Sequence, residues 1–223
     1  TCKAMIAGGS ETPFNFGFLK AWEALRVVSN DVCKPFDKNR QGMILGEGAG
    51  ILILENLETA LERGAEIYGE IVGVGMSSDA SHMTKPNAEG VKLAIESALK
   101  DAGITAGEVD HINAHGTGTQ VNDAMESQVI EEIFGDRLED VPVTASKSLH
   151  GHALGATGAF EAILSTLSVY NSLIPPTANT EELGSDININ LVIKKPQAKN
   201  IRYALSNNFA FGGINTVLAL KNC

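Results

Sequence analysis

Strand-length apolar runs alternate with helix-length stretches along this whole chain, and glycines stand between them. Residues 4–7 read as a buried strand running into Gly8-Gly9. Residues 45–55 read as a glycine-rich turn feeding a buried strand with Ile51-Leu52-Ile53-Leu54 at its centre. A short helix over 56–63 is stopped at Gly64, and residues 67–75 are apolar and β-branched, as strands are. Val91, Ile95, Ala98 and Leu99 recur at helical spacing up to Gly103. A strand over 109–114 precedes a helix with Asp123 as its N-cap, Val129, Ile130, Ile133 and Phe134 on one face, and Gly135 at its end. A strand over 141–145 leads to Lys147, and a small-residue helix over 155–170 ends before Pro175-Pro176. Strands over 201–207 and 216–221 flank a turn at 208–213. Alternation of this kind gives a layered α/β fold, and such folds place their sites just past strand ends.

Composition narrows the partners. Seventeen Lys+Arg against 27 Asp+Glu give a net charge of −10, with no basic cluster to hold nucleic acid or an anionic membrane surface. No apolar run approaches the ~18 residues of a membrane span. The 223 residues suffice for a sizeable core. Cys2, Cys33 and Cys223 are odd in number and far apart, which fits a reducing compartment, the cytoplasm, better than a disulfide framework. No charged-then-apolar signal segment opens the chain. Thr1 is no initiator, so the chain is expected to begin inside something longer.

Three segments carry candidate chemistry. In Asn113-Ala-His115-Gly-Thr-Gly-Thr119, a histidine directly after a buried strand is followed by glycines that admit another backbone or a substrate, with Thr117 and Thr119 supplying hydroxyls. That histidine is either a hydrogen-bonded turn residue or a functional one; the local pattern leaves both open. Thr144-Ala-Ser-Lys147-Ser-Leu-His150-Gly-His152 is the second segment. A metal held by His150, His152 and His115 lacks the ligand set and spacing of zinc sites. A lysine close to a histidine suits acid–base and electrostatic work better, although Lys147 also reads as a surface lysine and His150 as a loop histidine. Glu161, on an otherwise apolar helix, is either solvent-facing or functional, because burying it unpaired is costly. The third segment, Asn208-Phe-Ala-Phe211-Gly-Gly213, is either a gate over an apolar channel or two core rings and a hairpin. Gly46-Glu-Gly48-Ala-Gly50 opens a strand and not a helix, so it is a tight backbone crossing and not a dinucleotide turn.

Together with Cys33-Lys-Pro-Phe-Asp37, residues 42–55 and Ser77-Ser-Asp-Ala-Ser-His-Met-Thr84, these motifs stand in the order of a known family. The chain resembles the β-ketoacyl-acyl-carrier-protein synthases, elongating condensing enzymes, and looks closest to the bacterial type II group. The resemblance implies a thiolase-like fold layered α/β/α/β/α, of which residues 1–66 would end the N-terminal half and residues 67–223 form the C-terminal half. It implies decarboxylative condensation of an acyl-enzyme thioester with malonyl-acyl-carrier protein to a 3-oxoacyl product, as in fatty-acid elongation. His115, His152, Lys147 and Glu161 match the catalytic group, Thr117 and Thr119 the residues contacting the pantetheine arm, and Phe209 and Phe211 the acyl gate. His150 falls at a variable position. No cofactor is implied beyond the phosphopantetheine of acyl carrier protein. The implied partners are that protein, the missing N-terminal half and, in the full enzyme, a second copy in a homodimer.

Two departures stand out. The family's nucleophilic cysteine, in an Ala-Cys-Ser-like stretch, is absent, and neither Cys2, Cys33 nor Cys223 stands in such a turn; alone, this chain is expected not to condense. Ala210 replaces the usual glycine between the phenylalanines and stiffens that loop. Alternatives are a non-catalytic subunit akin to chain-length factors, which typically lose catalytic residues, and a binding module for acyl carrier protein.

Overall fold

A computed structural model describes residues 2–223; Thr1 lies outside the described residues. In chain order, β1 (Ala4–Glu11) is followed by α1 (Phe16–Ala24), β2 (Gly48–Glu55), α2 (Leu57–Glu62) and β3 (Glu70–Ser78). Then come α3 (Ala88–Ala102), β4 (His111–Asn113), α4 (Gln120–Phe134), β5 (Val143–Thr144), α5 (Lys147–His150) and α6 (Thr157–Asn171). The chain closes with β6 (Leu173–Ile174), β7 (Gln197–Ala198), β8 (Tyr203–Ala210) and β9 (Ile214–Lys221).

The main sheet has five strands in the order β3-β9-β8-β4-β5. β9 runs antiparallel to β3 and β8, whereas β4 runs parallel to both β8 and β5. One face carries Ile112, Leu205, Val217 and Ala219 into a core with Val91, Ile95 and Leu99 of α3 and Val129, Ile130 and Phe134 of α4. The other face carries Ala204 and Leu220 into a second core with Val169 of α6, Ile174, Val192 and Ile201. α3 lies close to β3 because Gly75 has no side chain: a Cβ there would sit 1.8 Å from the Ala94 carbonyl oxygen.

α6 has a second neighbour. β1 and β2 pair antiparallel over their full length as a separate ribbon. Gly48 and Gly50 of β2 leave room for Phe160, and Gly50 also abuts Ala159 and Ile163. The described residues therefore stack as ribbon, α6, main sheet, then α3 with α4, an order that agrees with the inner and C-terminal layers of a thiolase-like fold.

The helix signals at Asn56, Gly64, Gly103 and Gly135 correspond to observed helix ends. Four readings change. The strands expected to be buried at 4–7 and 51–54 are β1 and β2, but they pair only with each other and nothing among the described residues covers their outer face, so Ile6, Ile51 and Ile53 stand exposed. α4 begins at Gln120 with Thr119 in the N-cap position, so Asp123 is not the cap: its carboxylate turns back and accepts from the loop before the helix. The strand expected at 67–75 is β3, set three residues later by its pairing with β9 from Glu70↔Lys221. β8 continues to Ala210, so Phe209 belongs to the strand, and only residues 211–213 make the turn before β9. α1 had no counterpart in the sequence reading.

Candidate functional site

The parallel pairing of β4 and β5, with Asn113 opposite Thr144, delivers the segments after both strands to one edge of the sheet. Those segments carry His115 and Lys147. β8 lies on the other side of β4, with Ser206 opposite Asn113, and brings the Phe209 ring to 5.3 Å from the His115 ring. His152 sits on a crossing strand segment: its N–H donates to the Ile44 carbonyl at 2.6 Å, and Gly46 N–H donates to the His152 carbonyl at 3.0 Å. The three glycines of the 46–50 segment thus serve close packing, against His150 and His152 at one end and Phe160 at the other.

Lys147 is fully buried. Its three ammonium protons match three acceptors: Glu161 Oε1 at 2.6 Å, the His115 carbonyl at 2.6 Å and His115 Nδ1 at 3.2 Å. Ser146 Oγ also donates to Glu161 Oε1, at 3.3 Å. Burial raises the Glu161 carboxyl to about 7, against the pull of the Lys147 charge. Glu161 is therefore not solvent-facing, and Lys147 is no surface lysine.

These contacts fix the imidazole tautomers. An ammonium can only donate, so His115 Nδ1 accepts and its proton lies on Nε2. His152 Nδ1 accepts from the Leu154 N–H at 3.2 Å, with Thr157 Oγ1 at 3.0 Å, which likewise leaves its proton on Nε2. The two rings stand edge to face with centroids 5.5 Å apart, and both line a single cavity of about 810 Å³. Burial, then the Lys147 charge, hold both rings neutral: His152 falls to about 3, and His115 well below the ordinary imidazole value. Two neutral N–H donors thus face one space.

Thr117 and Thr119 line the same cavity and share a hydrogen bond at 2.9 Å between their hydroxyls. Phe209 is buried, whereas Phe211 is 42% exposed at the tip of its turn. His150 does not line the cavity; its ring lies edge-on to Phe160 with centroids 5.4 Å apart, and its Nε2 is 3.3 Å from Ser146 Oγ. No cysteine lines the cavity among the described residues. Cys33 is buried, its Sγ–H donates to the Thr117 carbonyl at 3.5 Å, and burial pushes its thiol up to about 12. A thiol so held stays protonated and is no nucleophile.

Two residues that sequence reasoning did not assign to the site shape it. Glu126 accepts the N–H groups of His115 at 2.8 Å and Gly116 at 2.9 Å, while Asp123 accepts those of Thr117 at 3.1 Å, Gly118 at 3.2 Å and Phe36 at 2.7 Å. Both carboxylates are fully buried, and burial raises Glu126 to about 6. Their signal was present as two acids three residues apart in the helix that follows the His115 loop.

Residues 68–181 match the model of the β-ketoacyl synthase C-terminal domain, and residues 1–60 that of the N-terminal domain. The chain belongs to the β-ketoacyl synthase family. Nodulation protein E of Rhizobium sp. (strain N33) is 44% identical over 97% of this chain and 54% of its own length. The 3-oxoacyl-[acyl-carrier-protein] synthase 2 of Staphylococcus aureus is 44% identical over 98% of this chain and 56% of its own. The solved complex of a type II polyketide synthase acyl-carrier protein with its ketosynthase bound to the hexaketide superposes with a TM-score of 0.96 at 33% identity, over 99% of this chain and 56% of that one. The chain spans about half the length of the curated relatives it matches. No helix among the described residues is long and apolar enough to cross a membrane.

Proposed function

We propose that this chain supplies the malonyl-activating half of a decarboxylative condensing site, acting with acyl carrier protein in fatty-acid-type chain elongation. The observation that carries this reading is the pair of neutral imidazoles, His115 and His152, each pinned through Nδ1 and each presenting Nε2–H to one cavity. When a malonyl thioester loses carbon dioxide, the electrons of the breaking C–C bond become an enolate, and negative charge grows on the thioester oxygen. Two preorganised donors stabilise that charge as it develops. Neutral donors suit the task, because a protonated imidazole would surrender its proton to the enolate and end the reaction. Lys147 orients His115 and balances Glu161; Thr117 and Thr119 offer hydroxyls to the amides of a pantetheine arm.

The carbanion must then attack an acyl thioester. With Cys33 buried and protonated, and no cysteine on the cavity wall among the described residues, the acyl-carrying thiol comes from outside this chain, in the N-terminal half of the synthase. Residues 1–66 would close that half and residues 67–223 make up the other. In this reading the complete enzyme is a cytoplasmic homodimer, in keeping with three unpaired cysteines, and needs no cofactor beyond the carrier's own pantetheine. A chain-length-factor-like role is disfavoured, since it would not require His115, His152 and Lys147 in a mutually pinned arrangement.

The test is carbon dioxide release from malonyl-acyl-carrier protein, with and without a separately supplied N-terminal half. The chain is expected to yield 3-oxoacyl product only when that half is present. Replacing either histidine by alanine should lower decarboxylation about 10²–10³-fold, the usual loss for one oxyanion donor. Equal release from the native chain and the His115→Ala/His152→Ala variant overturns the reading.

A further inference from the structure

The two phenylalanines of the 208–213 segment differ in freedom. Phe209 lies in β8, buried against His115. Phe211 projects from a three-residue turn whose other members, Gly212 and Gly213, have φ of +87° and +76°. A Cβ at Gly212 would meet nothing within 4 Å, so that side of the turn is open. The turn is tied at its far end, where Gly212 N–H donates to the Met83 carbonyl at 2.6 Å and Asp79 N–H to the Gly213 carbonyl at 2.7 Å. The Phe211 ring itself stacks on Trp22, with centroids 5.5 Å apart and planes 25° from parallel. Phe18 continues the row at 6.1 Å from Trp22. Trp22 also lines the cavity, together with Phe211, His115 and His152. It comes from α1, a helix with no buried residue of its own. An element so lightly seated can yield when its one large aromatic contact is broken.

We propose that Trp22 is a positioning residue for Phe211: their stack latches the 211–213 turn over the cavity mouth and sets how readily a thioester arm reaches His115 and His152. The inference rests on the condensing reading for its purpose, but not for its geometry. Aromatic pairs of this kind shift a two-state balance by about 2- to 10-fold. Trp22→Ala therefore opens the mouth by that factor, while Trp22→Phe, which can still stack, does not.

Trp22 is the single tryptophan of the chain, which makes it its own reporter. The experiment on the intact chain has two readouts. Carbethoxylation by diethylpyrocarbonate, followed peptide by peptide, measures access to His152, with rates normalised to free N-acetylhistidine in the same solution because His82 itself lines the cavity. Labelling of His152 is expected to accelerate about 2- to 10-fold in Trp22→Ala and equally in Phe211→Ala, with no further gain in the double variant and near-native rates in Trp22→Phe. Rates that add independently, or that do not change, overturn the latch. Should Trp22→Ala fail to fold, Phe211→Ala leaves the reporter in place. Its emission is expected to move to longer wavelength as Trp22 gains water, and unchanged emission overturns the stack. Neither readout needs turnover. Coupled labelling in a chain that releases no carbon dioxide from malonyl-acyl-carrier protein even with the N-terminal half supplied keeps the latch and removes the condensing reading, whereas uncoupled labelling in a chain active with that half removes the latch alone.

Discussion

Lys147 and Glu161 face each other at 2.6 Å with no solvent on either side chain. Removing one member of such a pair strands a charge in low dielectric, which costs about 3–5 kcal/mol. Glu161→Ala should therefore lose about that much stability in urea unfolding, well beyond the effect of a neutral truncation. His111 offers a pH test at the same scale. Its ring is wholly buried without a hydrogen-bond partner, and burial pushes it down to about 3. The unfolded chain takes up a proton near 6.5 that the folded chain refuses until about 3, so His111 lowers stability as pH falls through that window. At pH 5 the deficit is about 2 kcal/mol, from about 1.4 kcal/mol per pH unit. Glu126 and Glu161, raised by burial, act in the opposite direction as pH falls, so the comparison is made against a variant in which they are unchanged. His111→Leu should shrink the loss of stability between pH 7 and pH 5 by about 2 kcal/mol; an unaltered pH dependence shows that the ring is not excluded from water.

At the scale of elements, α4 holds the His115 loop through carboxylates and not through apolar contact. Glu126→Gln keeps the volume but turns an NH₂ group toward one of two backbone N–H donors. A buried donor left without an acceptor costs about 1–3 kcal/mol, and the variant should lose that much while the His115 resonances shift in NMR spectra. Unshifted His115 signals would show that Glu126 is not what fixes the loop. Long-range roles of this kind were not legible in the sequence, where Asp123 looked like a local cap. Local signals were legible: the apolar period of α3, Gly103 in the left-handed conformation at its end, and the strand-then-histidine order around His115. α1 was missed because Phe16-Gly-Phe-Leu-Lys-Ala-Trp22 is apolar on nearly every face and carries a glycine, so no amphipathic period announces it. The proximity of Lys147, Glu161 and His115 depends on parallel pairing of strands thirty residues apart, and only the family resemblance carried that information.

The molecule as a whole presents one unbalanced layer. The face of the β1–β2 ribbon that looks toward α6 is lined by glycines and Phe160, but its outer face carries Ile6 at 76% exposure, Ile51 at 58% and Ile53 at 73%. The pairing brings these side chains together, with Ile6 opposite Ile53 and Gly8 opposite Ile51. A two-stranded ribbon is marginal alone, and this one is held from its inner side only. Both outer edges of the ribbon also lack a strand partner among the described residues. A contiguous apolar patch flanked by open strand edges drives association. The chain by itself should therefore show a concentration-dependent mass above its 23.5 kDa in sedimentation and bind a hydrophobic dye. Ile6→Lys/Ile53→Lys places two cations on that face, directly opposite one another, and should return the chain to a monomer with a small fall in the unfolding midpoint, since neither side chain is buried but like charges so paired repel. Both the association and its loss in this variant are required. A monodisperse monomer at every concentration would mean that the ribbon face is quiet in water, and association that survives the two lysines would move the contact elsewhere on the molecule.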